Sequence, residues 1–151
     1  MPHEIPVAVS VLDHFAGLEL PVRASAGAAG VDLAAAVAAP QTVAPGERVL
    51  IPTGLCIGVP EGYEAQVRPR SGLALKHGLA VLNSPGTIDS DYRGEVKIIL
   101  ANLGRAPVTI ERGMRIAQLV LAPVVALRWE RLDSLGATAR GSGGFGSTGA
   151  D

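Results

Sequence analysis

Apolar residues in this chain fall in short, β-branched runs divided by glycine and proline, and helical periodicity is scarce. Val7-Ala-Val-Ser-Val11, Arg48–Ile51, Leu55–Val59, Glu64–Val67, Val96–Leu100, Val108–Ile110, Ile116–Leu121 and Val124–Leu127 each read as a strand. Turn signals stand between them: Pro45-Gly46, Pro52-Thr-Gly54, Pro60-Glu-Gly62, Pro85-Gly86, Asn102-Leu-Gly104 and Arg112-Gly113. Short strands punctuated in this way predict an all-β fold, a jelly-roll-like sandwich or barrel. One short helix is predicted, Ser71–His77. Ser71 is the expected N-cap, Leu73-Ala-Leu-Lys76 are good helix formers, and Gly78 stands at the C′ position. The alanine-rich stretch from Ala24 to Ala39 contains Gly27, Gly30 and Asp32 and runs into Pro40. It is too short and too interrupted for a membrane helix and reads as strand and loop.

Composition narrows the function classes. The chain has 151 residues, which predicts one domain over 1–151, and 48% of it is apolar but only 3% aromatic. Its core must therefore be built from Val, Leu, Ile and Ala. The net charge is −1 and no basic run occurs, which argues against long nucleic acid as a partner. A small anion needs only a few placed donors and stays allowed. The single cysteine, Cys56, lies in the apolar stretch Leu55-Cys56-Ile57 and is expected to be a small core residue. No intrachain disulfide is possible, and a reducing cytoplasm fits. The N-terminus shows no basic segment followed by an apolar run, and neither a targeting segment nor a membrane partner is expected.

The candidate chemistry is carboxylates, arginines and hydroxyls. The tail Arg140-Gly-Ser-Gly-Gly-Phe-Gly-Ser-Thr-Gly149 combines a forked phosphate donor, one ring and several hydroxyls on a flexible backbone. By composition alone it also reads as a linker. Arg68-Pro-Arg70 precedes the helix start, a favourable place for an anion. In Gly86-Thr-Ile-Asp89-Ser-Asp91-Tyr92-Arg93-Gly94, Asp89 and Asp91 would share a face of an extended strand, around a cation or with one paired to Arg93. Asp32 is a lone acid in an apolar stretch and needs a partner or a role. The histidines (His3, His14, His77) and the cysteine lack zinc-ligand spacing, and no Walker loop is present. A hard, oxygen-liking cation such as Mg²⁺ suits this donor set.

Five blocks in order carry a resemblance. Ala26-Gly-Ala-Ala-Gly-Val-Asp32-Leu, Arg68-Pro-Arg-Ser-Gly-Leu-Ala74, Gly86 to Gly94, Arg112-Gly-Met-Arg-Ile-Ala-Gln118-Leu and Arg140 to Gly149 resemble the motifs of the trimeric dUTP diphosphatases, from about Ala24 to Gly149. The resemblance implies a jelly-roll-like subunit in a homotrimer, with each site shared by three chains. Residues 1–139 would form the β-rich core, and 140–151 a mobile lid over a neighbour's site. The reaction would be hydrolysis of dUTP to dUMP and pyrophosphate, with Mg²⁺ on the triphosphate. On the motif positions, Asp89 resembles the base that activates water at the α-phosphorus. Asp32 resembles the acid that meets the metal through water. Arg70, Ser71 and Gly72 match the phosphate-binding helix start, and Gln118 matches a further phosphate contact. Asn83 to Asp89, with Gly86, Thr87 and Ile88, resembles the hairpin whose backbone reads uracil. Tyr92 matches the ring under the deoxyribose, and Lys97 a position on the next strand that contacts substrate through its backbone. Arg140 resembles the γ-phosphate clamp, Phe145 and Gly146 the cover over uracil, and Ser147 and Thr148 the tail's phosphate hydroxyls. A zinc-free dCTP deaminase of the same fold and a non-catalytic nucleotide-binding relative are the alternatives. The Asp-Ser-Asp-Tyr-Arg-Gly block speaks against the first. The intact set of Asp32, Asp89, Gln118 and Arg140 speaks against the second.

Overall fold

A computed structural model describes residues 4–149. His3, and Ala150 and Asp151 at the end of the expected lid, lie outside the described residues. The strands are β1 (Ala8–Val11), β2 (Val31–Ala34), β3 (Gln41–Val43), β4 (Arg48–Gly58), β5 (Tyr63–Arg68), β6 (Leu79–Val81), β7 (Gly86–Ile88), β8 (Glu95–Asn102), β9 (Val108–Ile110) and β10 (Arg115–Pro123). A 3₁₀ turn spans Asp13–Phe15, and one helix, α1, spans Ser71–His77. Two four-stranded antiparallel sheets, ordered β1-β4-β8-β6 and β2-β10-β5-β7, face each other, with the pair β3-β9 beside them. This is the jelly-roll-like all-β architecture expected from the pattern, with sheets that do not close into a barrel.

Strand alternation builds the core. Val96, Ile98 and Leu100 of β8 point inward, as do Ile51, Leu55 and Ile57 of β4. They meet Leu33, Ala65, Val67, Ile88 and Ile116 from the second sheet in one cluster. Aliphatic side chains fill this interior, as the low aromatic content requires, and among the described residues only Phe15 adds a buried aromatic ring. No helix among the described residues is long and apolar enough to cross a membrane.

Several expected elements differ. Pro52-Thr-Gly54 is not a turn but an irregularity inside the single long strand β4. Pro52 stands opposite Lys97 and Cys56 opposite Glu95, so four steps along β4 match two along β8. Proline is tolerated beside such a break, where the regular ladder it cannot complete ends. The Thr53 hydroxyl fills part of the gap by donating to the Val96 carbonyl at 2.5 Å. Cys56 is half-buried, because the residues of β4 that face the core are its odd-numbered neighbours. Val124–Leu127 forms no strand. β10 ends at Pro123, and from Val124 to Ser142 the chain is exposed. Ser71 is the first helical residue rather than the cap. Arg70 holds the N-cap position in an extended conformation without a side-chain cap bond, and Gly78 closes the helix at φ +69°.

Candidate functional site

The lone acid of β2 has its partners. Asp32 Oδ1 accepts from Arg70 Nε at 3.0 Å, and Oδ2 accepts from Arg115 Nη1 at 3.1 Å. Strand pairing explains the meeting. β10 lies between β2 and β5 and sets Gln118 opposite Asp32 on one side and opposite Arg68 on the other. The chain leaving β5 then carries Arg70 back over β2. A second Arg70 bond, Nη1 to the Arg115 carbonyl at 3.1 Å, fixes the guanidinium. Gln118 donates to the Pro69 carbonyl at 2.9 Å. Asp32, Arg70, Ser71, Gly72 and Gln118 thus line one cleft of about 400 Å³, together with Leu73, Lys76 and His77. Arg68 does not join it. Its guanidinium turns along β5 and donates twice to Gln66 Oε1, at 3.1 and 2.6 Å.

The segment expected to form a hairpin, Asn83 to Asp89, takes another form. β6 and β7 do not pair with each other. β6 is the edge of one sheet and β7 the edge of the other, so Leu82 to Pro85 crosses between the sheets. Two sheet edges therefore face one cleft. Among the described residues, β7 is bonded only to β5, so its outer row of N–H and C=O groups is free to pair with a planar ring. Asn83, Gly86, Thr87, Ile88, Tyr92 and Lys97 line this cleft of about 140 Å³, with Val67, Val81 and residues of β8 behind them.

Tyr92 is held as a ledge. Its hydroxyl donates to the Glu95 carbonyl at 2.9 Å. The ring lies over Gly94, where a Cβ would come within 2.4 Å of the Tyr92 oxygen, so only glycine leaves room. Arg93 pairs with neither aspartate. Its Nη1 donates to the carbonyls of Ser90 and Tyr92, at 2.7 and 2.8 Å, and braces the turn. Asp89 and Asp91 do not share a strand face, because β7 ends at Ile88 and the chain turns immediately. Both acids are exposed and line an open depression with Glu61 and Glu64.

Sequence reasoning missed three residues. Arg115 lies within a quoted motif, and the unpartnered Asp32 was the signal that one of that motif's arginines had to answer it. His14 and Glu95 had no such signal. They lie 81 positions apart, yet His14 Nε2 donates to Glu95 Oε1 at 2.6 Å. The Gly54 N–H donates to the same oxygen at 2.8 Å, and Lys97 Nζ stands 3.6 Å from Oε2. Burial pushes the Glu95 carboxyl up, but the His14 bond, the Gly54 N–H and the charges of His14 and Lys97 outweigh it and hold the group below its ordinary range.

The tail meets neither cleft. Arg140 Nε donates to the Gly143 carbonyl at 2.9 Å, and Phe145 stands clear of the body at 114% relative exposure with φ +51°. Ser147 and Thr148 are exposed beside it. Asp32, Arg70, Ser71, Gly72 and Gln118 come together, as do Asn83, Gly86, Thr87, Ile88, Tyr92 and Lys97. The two groups share no lining residue, and Asp89 and the tail stand apart from both.

Comparison with known proteins finds a family model described as dUTPase that matches residues 17–149. A deoxyuridine 5'-triphosphate nucleotidohydrolase of Rhizobium etli is 60% identical over 151 residues, covering 97% of each chain. Among solved structures, a point mutant of the Staphylococcus bacteriophage 80alpha dUTPase with dUpNHpp superimposes with a TM-score of 0.84. It is 26% identical and covers 95% of this chain and 98% of its own. A mutant dUTPase from phage phi11 of Staphylococcus aureus, described for its structural Mg(II) ion, shares the fold at TM-score 0.77. It is 23% identical and covers 87% of this chain and 99% of its own.

Proposed function

The chain belongs to the dUTPase family, and from that premise we propose how its own residues hydrolyse dUTP to dUMP and pyrophosphate. The observation that carries the reading is the division of labour between the two clefts. One offers a free backbone edge and an aromatic ledge, which suit a base and its sugar. The other offers Arg70, the helix start and Gln118, which suit phosphate oxygens.

Uracil pairs with the outer edge of β7, around Asn83, Gly86, Thr87 and Ile88. Cytosine reverses the donor pattern and would leave those backbone groups unpaired, which is costly in a closed site. Tyr92 packs beneath the deoxyribose and leaves no room for a 2′-hydroxyl, with Lys97 beside it. Asp89 accepts a proton from water while the water oxygen attacks the α-phosphorus. The bond from that phosphorus to the bridging oxygen breaks, and pyrophosphate leaves with the electron pair. Arg70, Ser71, Gly72 and Gln118 hold the phosphate oxygens in line, a positioning and charge-stabilising role.

Mg²⁺ on the triphosphate fits this donor set. Each oxygen of Asp32 accepts one guanidinium bond and keeps a lone pair for a metal-bound water. When bound, the ion neutralises charge on the leaving pyrophosphate.

A homotrimer completes the site. Two clefts without a shared lining residue and a tail clear of both support a site assembled from several chains. Val125, Leu127, Trp129 and Leu135 leave the body with their apolar side chains uncovered, at 72% exposure or more, and a neighbouring subunit would cover them. Residues 140–149 then close over a neighbour, with Arg140 on the γ-phosphate, Phe145 and Gly146 over uracil, and Ser147 and Thr148 on phosphate. A cytoplasmic location belongs to the same reading.

Pyrophosphate release from dUTP, beside dCTP, dTTP and UTP, with Mg²⁺ and with chelator, tests it. Release from dUTP alone, abolished by chelator, is expected. Equal release from UTP would refute the role of Tyr92, and ammonia release from dCTP would move the chain to a deaminase.

A further inference from the structure

We propose that Glu95 is a positioning residue for the nucleoside end of the site, clamped by His14 and holding both Tyr92 and Lys97. This rests on the reading that Tyr92 and Lys97 face the substrate. Glu95 opens β8 directly behind the cleft, and its side chain is only 11% exposed. Three hydrogen bonds and one ion pair hold it. Oε1 takes the His14 ring and the Gly54 N–H, Oε2 faces the Lys97 ammonium, and the main-chain oxygen takes the Tyr92 hydroxyl. The carboxylate and its own carbonyl thus meet two of the side chains that line the cleft, Lys97 and Tyr92.

The far side of Glu95 is built to be immobile. Gly54 sits at φ +71°, and a Cβ there would come within 2.8 Å of Phe15 Cβ, so the break in β4 is packed directly on the 3₁₀ turn. The Leu12 N–H donates to the Gly54 carbonyl at 2.9 Å, tying the two together again. Arg112 Nη2 donates to the carbonyls of His14 and Ala16, at 2.9 and 2.6 Å, and pins the turn that presents His14. A half-buried carboxylate gains from such partners, because removing a charge from water without a partner is disfavoured. Lys97, by contrast, is 45% exposed and carries four flexible bonds, so its side chain needs an anchor to hold this stretch of the cleft wall in one geometry. Glu95 and Lys97 lie two apart on one strand and so share a face, which makes Glu95 that anchor.

The test is steady-state hydrolysis of dUTP by the full chain, comparing Glu95→Ala, Glu95→Gln and His14→Ala with the parent, alongside melting temperatures. Glu95→Ala is expected to raise KM about tenfold, the scale of one lost charge-assisted bond, while kcat changes by less than about threefold. Glu95→Gln keeps an acceptor for Gly54 and His14 and should recover part of the KM. His14→Ala should raise KM by a smaller factor in the same direction. In a Glu95/Lys97 double-mutant cycle, replacing Lys97 by Met should cost less KM in the Glu95→Ala background than in the parent. An unchanged KM with a lowered melting temperature would mean a scaffold role only and would overturn the proposal. So would a fall in kcat at constant KM. If Glu95→Ala does not fold, unchanged KM values in both Glu95→Gln and His14→Ala overturn it equally. Failure of the parent reading is distinct, because the unmodified chain would then release no pyrophosphate from dUTP.

Discussion

Gly94→Ala tests the sugar ledge without replacing any residue that meets substrate. The new Cβ would stand 2.4 Å from the Tyr92 oxygen, 2.7 Å from Cζ and 3.1 Å from Cε2. Ordinary carbon contacts need about 3.5 Å, so the ring must retreat by roughly 1 Å. The hydroxyl bond to the Glu95 carbonyl, now 2.9 Å, is then lost or stretched. That bond is exposed and neutral, worth about 1 kcal/mol, which corresponds to a fall in melting temperature of about 2–4 °C for a chain of this size. The functional loss should be larger, because a misplacement of about 1 Å at a reacting site can cost roughly 100-fold. Expected are a drop in kcat/KM for dUTP of about 10- to 100-fold and a dUTP-over-UTP preference reduced about tenfold, since a displaced ring no longer excludes the 2′-hydroxyl. Parallel kcat/KM measurements on the two nucleotides, with thermal melts, decide it. An unchanged dUTP-to-UTP ratio, with Tyr92 displaced, would refute the ring's role in sugar selection.

Three further outcomes follow from the same geometry. Asp89→Asn should lower kcat by about 10²–10⁴-fold with KM for dUTP nearly kept, read from pyrophosphate release at saturating substrate. Removal of all residues after Ala139 should leave a folded oligomer with little turnover, checked by gel filtration beside the activity assay. The pH dependence of stability carries a defined sign. Glu95 is held below its ordinary value of 4.5 in the folded chain, so the unfolded chain binds its proton more readily. Its contribution is complete above that value and disappears as pH falls through the lower folded value. Thermal melts across the acid range should show a steeper loss for the parent than for Glu95→Gln.

The strands were legible because alternation and β-branched runs report burial directly. The helix, and the grouping of Arg70, Ser71 and Gly72 at its start, were legible from local helix formers and the closing Gly78. What failed was non-local. Pro52-Thr-Gly54 has the residues of a turn, but glycine and proline serve a strand irregularity equally well, and only the β8 partner tells the two apart. Val124–Leu127 is strand-like in composition, yet no neighbouring strand of its own chain receives it. The Asp32 to Arg115 contact spans 83 positions and depends on β10 lying beside β2. His14 and Glu95 looked like ordinary polar residues, since nothing near either one in sequence marks the other.

The break in β4 has a consequence for how this strand tolerates length change. Its surplus over β8 is even, and an even surplus preserves parity: Ile51, Thr53, Leu55 and Ile57 all face inward across the break. Loss of a single residue between Pro52 and Cys56 would turn the remainder of β4 inside out, exposing one set of side chains and burying the other. Loss of a pair would leave the core in phase and remove only the local loop that offers Gly54 to Glu95. Length variation here should therefore be quantised in twos, with odd changes failing at the level of folding and even ones at the level of substrate affinity.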